Sequence, residues 1–403
     1  MSEASQILIP RGFRFGAATV GLKASGRPDL ALIVADAPAS AAAAFTANRV
    51  QAAPLVLDKE HLRASGGRVR AAVINAGNAN CAAGQAGLDA ARTSCAAVAH
   101  VFGCRTEEVF PSSTGIIGVP LPAEKIVAAL PALAIQIGSE SDHFHEVAHA
   151  ILTTDRVEKT AFARLESDGA EVRIAALGKG SGMIHPQLVP HATMLVYVMT
   201  DAAVAPATLQ AYLNAAIATS FNRISVDGDT STNDTVLLLA SGASGVTIGS
   251  ENAEFAAALT RVCTSLAKQI VADGEGVKHV VELRIDGAAN DVDALRIAKA
   301  IAHSPLVKTA WAGSDPNWGR LVAAIGYSGA AVDPESIDIR FGVLPICRNG
   351  GRAAEFDETA AHAYLRQPEF SILIELHQGT GSCVFWTTDL TAEYVHINAD
   401  YST

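Results

Sequence analysis

Two kinds of apolar segment recur along the chain, and their lengths limit the folds that it can adopt. Short segments rich in Leu or β-branched residues and bounded by Gly, Asp, Asn or Ser predict strands, at 31–35, 69–75, 172–177, 194–199, 236–239 and 280–285. Longer Ala-rich segments with apolar residues three or four positions apart predict helices, at 86–101, 206–220, 253–271 and 291–302. Because the strands are clustered rather than strictly alternating with helices, we predict an α+β layered fold rather than a doubly wound sheet.

The composition is that of a globular protein with a sizeable core. The 403 residues are 49% hydrophobic and 18% charged, which is too apolar for a disordered chain. This length is compatible with one large layered unit or with two lobes. The first 13 residues carry no basic patch followed by an apolar stretch, and no apolar run reaches the roughly 18 residues that span a bilayer. We therefore expect no membrane segment and a cytoplasmic location.

Charge and cysteine content exclude several classes of partner. Thirty Lys and Arg against 41 Asp and Glu give a net charge of −11, and no block of basic residues stands out, so nucleic acid is not an expected partner. The six cysteines include no Cys-x-x-Cys pair. This argues against a zinc site and, at this length, against a disulfide framework. We expect reduced, mostly buried thiols and no bound metal.

The clearest break in the middle of the chain is the Pro- and Gly-rich stretch 178–190, after which Ala192 and Thr193 lead into a predicted strand. A Thr hydroxyl is a poor nucleophile, but if the bond before the Thr is cut, its own α-amine becomes a built-in base. The Thr193 hydroxyl could cut that bond itself by attacking the Ala192 carbonyl, giving an ester that water hydrolyses. On the pattern alone, an ordinary first residue of a strand is the commoner interpretation.

Two further segments could complete such a site. One lies near Thr193 in sequence, and the other is rich in hydroxyl groups. Lys179 stands beside a Gly-rich loop, but Gly180 follows it where a phosphate loop needs Ser or Thr, and a solvated charge is the alternative interpretation. The segment 111–118 pairs hydroxyls with glycines in a predicted tight bend. That composition fits a donor to an oxyanion, and it equally fits an ordinary turn.

Two further segments of the chain are acidic. The segment 220–235 crowds carboxylates and hydroxyls, yet a calcium loop counted from Asp227 would place Thr232 and Leu238 where Gly and an acid are needed. Calcium binding is therefore not predicted. The segment 273–276 follows a predicted helix and could orient a substrate amine or simply form a C-terminal turn.

Together, these motifs resemble those of the ornithine acetyltransferases of arginine biosynthesis. The residues that carry the resemblance, in this order, are 179–183, 192–195, 221–235, 273–276 and Asp-Pro-Asn-Trp-Gly-Arg at 315–320. Further matches at 26–54, 74–80, 113–118, 153–155, 304–309 and 394–403 extend it over essentially the whole chain.

The resemblance implies an autoprocessed enzyme with an α/β/β/α amidase-like fold, in which 1–192 form an alpha chain and 193–403 a beta chain. It implies that Thr193 is the nucleophile, that the Ala192–Thr193 bond is the cleavage site, and that Thr114 with Gly115 forms the oxyanion hole. The implied substrate contacts are Thr153, Lys179, Thr193, Glu275, Asn398 and Thr403. It further implies no cofactor and a heterotetramer of two alpha and two beta chains.

The implied activity is ping-pong transfer of acetyl from N2-acetylornithine to glutamate through Thr193. Many family members also accept acetyl-CoA as donor, and no motif here decides whether this chain does. Two alternatives stay open: an amidase or aminopeptidase on the same scaffold, and an uncleaved binding or scaffold protein. One departure bears on the last alternative. Thr193 lies 14 positions after Lys179, more than is usual in the family, so a longer loop, 185–191, must present the scissile bond.

Overall fold

The computed structural model describes residues 8–167, 169–186 and 194–400. Fourteen strands lie within these residues: β1 Phe13–Ala18, β2 Leu30–Phe45, β3 Arg68–Asn78, β4 Val109–Ile116, β5 Lys159–Ser167, β6 Ala170–Lys179, β7 Leu195–Thr200, β8 Thr235–Ala240, β9 Val280–Ala288, β10 Asp338–Phe341, β11 Leu344–Arg348, β12 Gly351–Arg352, β13 Glu369–Glu375 and β14 Gly381–Thr388. The described residues also form eleven α-helices: α1 Ala53–Ala64, α2 Gly84–Phe102, α3 Ala123–Gln136, α4 Ser141–Ala150, α5 Pro206–Thr219, α6 Ala253–Ala272, α7 Asp291–Ala302, α8 Pro305–Ala312, α9 Trp318–Gly326, α10 Glu358–Leu365 and α11 Ala392–Asp400.

The long strand β2 connects two β layers. Its first half pairs with β1 and β3, and β3 pairs in parallel with β4. Its second half pairs with β8, which continues through β7 and β6 to β5. The register shifts between Val34 and Ala39, where the strand is exposed at residues 36–38. An irregularity of this kind bends a strand, so β2 can pass from one layer to the other.

The two β layers pack face to face, and helices cover their outer sides. Strand side chains alternate between faces: in β7, Leu195 and Tyr197 join the core cluster shared with Phe15, Ile33 and Phe110 of the other layer. The alternate residues of β7 pack outward in a cluster with α5 and α6. On the far side, β2 and β3 pack against α2 and α3. These layers are the predicted α/β/β/α arrangement, so the α+β fold class is confirmed.

A second, six-stranded sheet follows in the order β12-β11-β10-β13-β9-β14. Helices α7 to α10 contribute to its hydrophobic core, in which Trp311 is the largest fully buried side chain. Trp386 of β14 packs into the cluster formed around α5 and α6. The second sheet is therefore attached to the outer helical layer of the first unit.

Most of the predicted elements are confirmed, and one is wrong. The six predicted strands and four predicted helices lie in β2, β3, β6, β7, β8 and β9 and in α2, α5, α6 and α7. Their ends differ by at most three residues, except that β2 continues ten residues beyond the predicted 31–35. The predicted bend at 111–118 is instead mostly strand β4, which pairs with β3 through residues 109–116. Its Ser, Thr and Gly content is typical of a turn, but the parallel neighbour overrides that local preference.

All six cysteines are free and five of them are buried, as predicted. Within the described parts of the chain, no helix is both long and apolar enough to cross a membrane. The division into chains 1–192 and 193–403 stays a prediction, because Ala192 and Thr193 lie outside the described residues. Strands from both sides of that point share one sheet, since β6 pairs with β7.

Helix α1 buries a carboxyl group for which the described residues provide no hydrogen-bond partner. Asp58 is 0% exposed, and neither of its carboxylate oxygens has a hydrogen-bond partner among the described residues. Burial raises the pKa of the Asp58 carboxyl well above its usual range, and the nearby Lys59 opposes this only in part. Asp58 is therefore expected to stay protonated in the folded protein at pH values where the unfolded chain has lost that proton.

The pH dependence of stability should reveal this proton. Between the unfolded pKa, about 3.9, and the raised folded pKa, the folded state binds one proton more, so stability falls by about 1.4 kcal/mol per pH unit. Asp58→Asn removes this loss, because an amide does not ionise. The unfolding free energy of the variant relative to the wild type should therefore increase between about pH 5 and pH 7.5.

Urea unfolding at the two pH values measures the effect. Asp89→Asn is the matched control, because the Asp89 side chain is 62% exposed and its replacement should give the same difference at both pH values. A difference for Asp58→Asn that stays constant or shrinks as the pH rises would contradict a buried, protonated carboxyl.

Candidate active site

One cleft collects every described residue for which the sequence predicted a catalytic or substrate-binding role. It encloses about 880 Å³ of space, counting its open mouth. The predicted residues in its lining are Thr114, Gly115, Thr153, Lys179, Glu275 and Asn398. The predicted residues Ala192, Thr193 and Thr403 lie outside the described residues. Met194, which follows Thr193 in the chain, also lines the cleft. The chemical role of each residue stays a prediction.

The cleft lies where three neighbouring strands meet at one edge of their sheet. β7 and β8 run parallel and both begin there, whereas β6 runs antiparallel to β7 and ends there. Leu195 is therefore paired with Lys179 on one side and with Thr235 on the other. The backbone N–H of Thr235 also donates to the Met194 carbonyl at 2.8 Å. These contacts fix Leu195 against the end of β6, and they fix Met194, the residue next to the predicted nucleophile, against the start of β8.

Lys179 is buried and paired, so its interpretation as a solvated loop charge is wrong. It is 9% exposed. Its Nζ donates to Thr114 Oγ1 at 3.4 Å and lies 3.9 Å from Asp155 Oδ2. Burial on its own would raise the pKa of Asp155, but the charges of Lys179 and Lys159 hold it below its usual range. The Asp155 carboxylate therefore remains ionised and balances the charge of Lys179.

A buried ion network supports this pair. Lys159, which is 0% exposed, donates to Asp155 Oδ1 at 2.7 Å and to Asp273 Oδ2 at 2.6 Å. Asp155 also accepts the backbone N–H groups of Gly180, at 2.7 Å, and Thr153, at 3.0 Å. The Asp155 carboxylate therefore fixes the backbone at Thr153, which lines the cleft, and at Gly180, which follows the cleft residue Lys179. The sequence analysis noted Asp155 only as part of a family match and did not identify Lys159.

Thr114 and Gly115 lie near the end of strand β4. Next to them is a hydrogen-bond network that includes side-chain amides. Ser113 Oγ donates to Asn75 Oδ1 at 2.6 Å, and Asn233 Nδ2 donates to the Ser113 carbonyl at 2.8 Å. Gly115 has φ +132°, and a Cβ there would overlap the backbone of Gly77 and the next residue, so only glycine fits. Because Thr114 Oγ1 accepts from Lys179, its own hydrogen is left to donate. This geometry is suitable for an oxyanion donor.

The lining of the cleft also contains acidic residues. They include Glu275, Asp227 and Asp229, and Asn398 Nδ2 donates to Glu275 Oε2 at 2.9 Å. Burial raises the pKa of Asp227, and backbone N–H donors oppose part of that rise. The cleft lining therefore carries both an ammonium group and carboxylates.

The residues around these carboxylates include some that the sequence predicted and some that it did not. The segment 273–276 forms the turn after α6, as predicted, and it also delivers Glu275 to the cleft. Asp273 does not line the cleft but pairs with Lys159. The sequence analysis missed the roles of Asp227 and Tyr394, which are joined by a hydrogen bond from the Tyr394 hydroxyl to Asp227 Oδ2 at 3.3 Å. They lie 167 positions apart, so no local pattern could connect them.

Comparisons with known proteins agree over nearly the whole chain. Residues 14–403 match the ArgJ family. The arginine biosynthesis bifunctional protein ArgJ of Geobacter sulfurreducens is 46% identical over 397 residues, which are 98% of this chain and 99% of that protein. Its counterpart from Nitratidesulfovibrio vulgaris is 44% identical over 393 residues, 97% of this chain and 98% of that protein. A solved chain of ArgJ from Bacillus halodurans is 45% identical, with a TM-score of 0.49, and covers 51% of this chain and 98% of its own length. The resemblance predicted from the motifs is confirmed: the chain belongs to the ArgJ family.

Proposed function

We propose that the protein is a glutamate N-acetyltransferase (ornithine acetyltransferase) of arginine biosynthesis. It transfers the acetyl group of N2-acetylornithine to glutamate and releases ornithine and N-acetylglutamate. Family membership supports this proposal, since relatives that match nearly the whole chain are named arginine biosynthesis bifunctional proteins. The acetyl group passes through the protein itself, so the reaction as proposed needs no bound cofactor.

The observation that carries the proposal is the distribution of charge around the cleft. The cleft lining contains Lys179 together with Glu275, Asp227 and Asp229. Both substrates carry an α-carboxylate, for which the Lys179 ammonium is a charge-assisted partner. Ornithine also carries a side-chain ammonium, for which the Glu275 carboxylate is a complementary partner. A cleft with charges of both signs is thus suited to amino-acid substrates.

The proposed chemistry proceeds in two half-reactions through Thr193. The freed α-amine of Thr193 takes the hydroxyl proton, Oγ attacks the acetyl carbonyl, and the C–N bond to ornithine breaks as the leaving amine takes up a proton. The amine of glutamate then attacks the acetyl ester and regenerates the hydroxyl. Thr114 and Gly115 stabilise the oxyanion in both steps. The α-amine titrates at about 7.7–8.0 when unperturbed, so it can act as the base near neutral pH.

The proposed cleavage between Ala192 and Thr193 uses the same hydroxyl and the same oxyanion donors. Its two products would be held together by the β6–β7 pairing and by the shared core between the β layers. We propose that two such pairs associate as a heterotetramer. We also propose acetyl-CoA as an alternative acetyl donor to Thr193, because the relatives are described as bifunctional.

Expression of the full chain should give two fragments that meet between Ala192 and Thr193. Intact-mass measurement under denaturing conditions identifies both. Thr193→Ala should remain one chain because it lacks the attacking hydroxyl, whereas Thr193→Ser keeps a hydroxyl and should still be cut. Cleavage of the Ala variant at the same bond would contradict attack by Thr193, and a wild type that stays whole would favour the scaffold alternative.

Thr114→Ala should lower the turnover number for acetyl transfer to glutamate by about 100-fold to 1000-fold, the usual cost of losing one oxyanion donor. The KM values should change little, because the donor acts mainly on the transition state. Steady-state kinetics of fully cleaved enzyme measure both. Thr160→Ala is the control, since Thr160 lies in β5 and bonds Gln269 through backbone groups rather than its hydroxyl. Normal turnover in Thr114→Ala would remove Thr114 from the oxyanion hole.

A further inference from the structure

The carboxylate of Asp227 joins three segments of the chain at the wall of the cleft. Its Oδ2 accepts the backbone N–H of Met183 at 2.7 Å and the hydroxyl of Tyr394 at 3.3 Å. Its Oδ1 accepts the backbone N–H of Ile184 at 2.8 Å and that of Asp229 at 3.2 Å. Both oxygens are therefore fully used by protein donors. Asp227 therefore has little remaining capacity to accept a hydrogen bond from a cation of the substrate.

The segment that Asp227 holds leads directly toward the predicted cleavage site. Met183 has φ +57°, a conformation that costs a non-glycine residue about 1 kcal/mol or more. The next residues are tied to the same loop, because the Ile184 carbonyl accepts from the backbone N–H of Val226 at 2.6 Å and the His185 carbonyl accepts from Thr230 Oγ1 at 3.0 Å. Hydrogen bonds from residues 226–230 thus maintain an unfavourable backbone conformation.

The same segment packs against the proposed substrate contacts. A Cβ on Gly182 would overlap the carboxylate of Glu275, so the backbone at Gly182 lies directly against that side chain. Glu275 in turn accepts from Asn398 on α11, and α11 also carries Tyr394, which binds Asp227. A shift of Met183 would therefore move the neighbouring Gly182 backbone, which lies against Glu275. Release of Tyr394 would loosen α11, which contacts Glu275 through Asn398.

We propose that Asp227 is a positioning residue that sets the backbone at 182–184 and the C-terminal helix α11 relative to each other, and through them the Glu275 side of the cleft. This deepens the proposed function and rests on it for its kinetic consequences. If the chain is cut after Ala192, Met183 and Ile184 belong to the first fragment, and Asp227 and Tyr394 to the second. Asp227, in the second fragment, then binds a segment of the first fragment that lines the cleft at Gly182 and Met183.

The role depends on geometry as well as charge. An Asn in place of Asp227 offers one oxygen and one NH₂ group, so in either orientation one of the N–H groups of Met183 and Ile184 faces another donor. Hydrogen bonds to charged groups contribute about 1.5–3 kcal/mol, which corresponds to about 10-fold to 100-fold in an equilibrium. Asp229 is the matched control, because it is exposed and carries the same charge in the same cleft.

Amide hydrogen exchange tests the proposal without relying on activity. In Asp227→Asn, the amides of Met183 and Ile184 should lose about 10-fold to 100-fold of their protection, while those of β7 keep theirs. Asp229→Asn should leave all of these amides unchanged. Wild-type protection in Asp227→Asn, or an equal loss in Asp229→Asn, would overturn the proposal. Exchange can be measured whether or not the chain is cleaved, so this result is independent of the proposed processing and acetyl transfer.

Tyr394→Phe provides a milder second test. It removes only the 3.3 Å bond to Asp227, so the KM for N2-acetylornithine should rise by about 2-fold to 10-fold, with the turnover number and the thermal midpoint nearly unchanged. A purely structural contact would lower the midpoint and affect both kinetic constants together. An unchanged KM would remove α11 from the proposal. If the wild type transfers no acetyl group, the proposed function fails, while the exchange experiment still decides the role of Asp227.

Discussion

The arrangement of the cleft depends on a buried set of charges around Asp155. This carboxylate pairs with Lys159 and lies 3.9 Å from Lys179, and Lys159 pairs in turn with Asp273. The network connects the residues before β5, the end of β6 and the end of α6. Removing one member of such a network leaves a charge unbalanced in the interior, which typically costs about 3–5 kcal/mol. The same charges that fold these segments together place Lys179 beside Thr114.

This network also provides a countercharge for Lys179 in its buried position. Lys179 is balanced by Asp155 and remains a hydrogen-bond donor at the cleft. The carboxylates of the cleft are supported by further contacts, since Glu275 accepts from Asn398 and Asp227 is occupied by backbone N–H groups. The two sets of contacts are linked, because Ser181 Oγ donates to the Asp273 carbonyl at 2.7 Å and the Glu275 N–H donates to the Ser181 carbonyl at 3.2 Å.

Sequence patterns predicted elements such as β7, β8 and α6 because their apolar residues form a buried run or recur at helical spacing. Strand β4 was missed since its Pro, Ser, Thr and Gly residues have turn preferences, and only pairing with β3 makes them a strand. The predicted site residues came from the family resemblance rather than from spacing, and the structure brings the described ones to one cleft. Asp227 and Lys159 could not be assigned from the sequence, because their partners are distant in the chain: Tyr394 for Asp227, and Asp273, which lies 114 positions from Lys159.

The central claim is that Thr193 carries the acetyl group between two amino-acid substrates. The most direct measurement is the mass of the fragment that begins at Thr193 after the enzyme is mixed with N2-acetylornithine in the absence of glutamate. We expect an added acetyl group, located on Thr193 by fragmentation and lost when glutamate is supplied. A fragment that never gains this mass, in an enzyme that still makes N-acetylglutamate, would contradict the covalent mechanism and indicate direct transfer between two bound substrates.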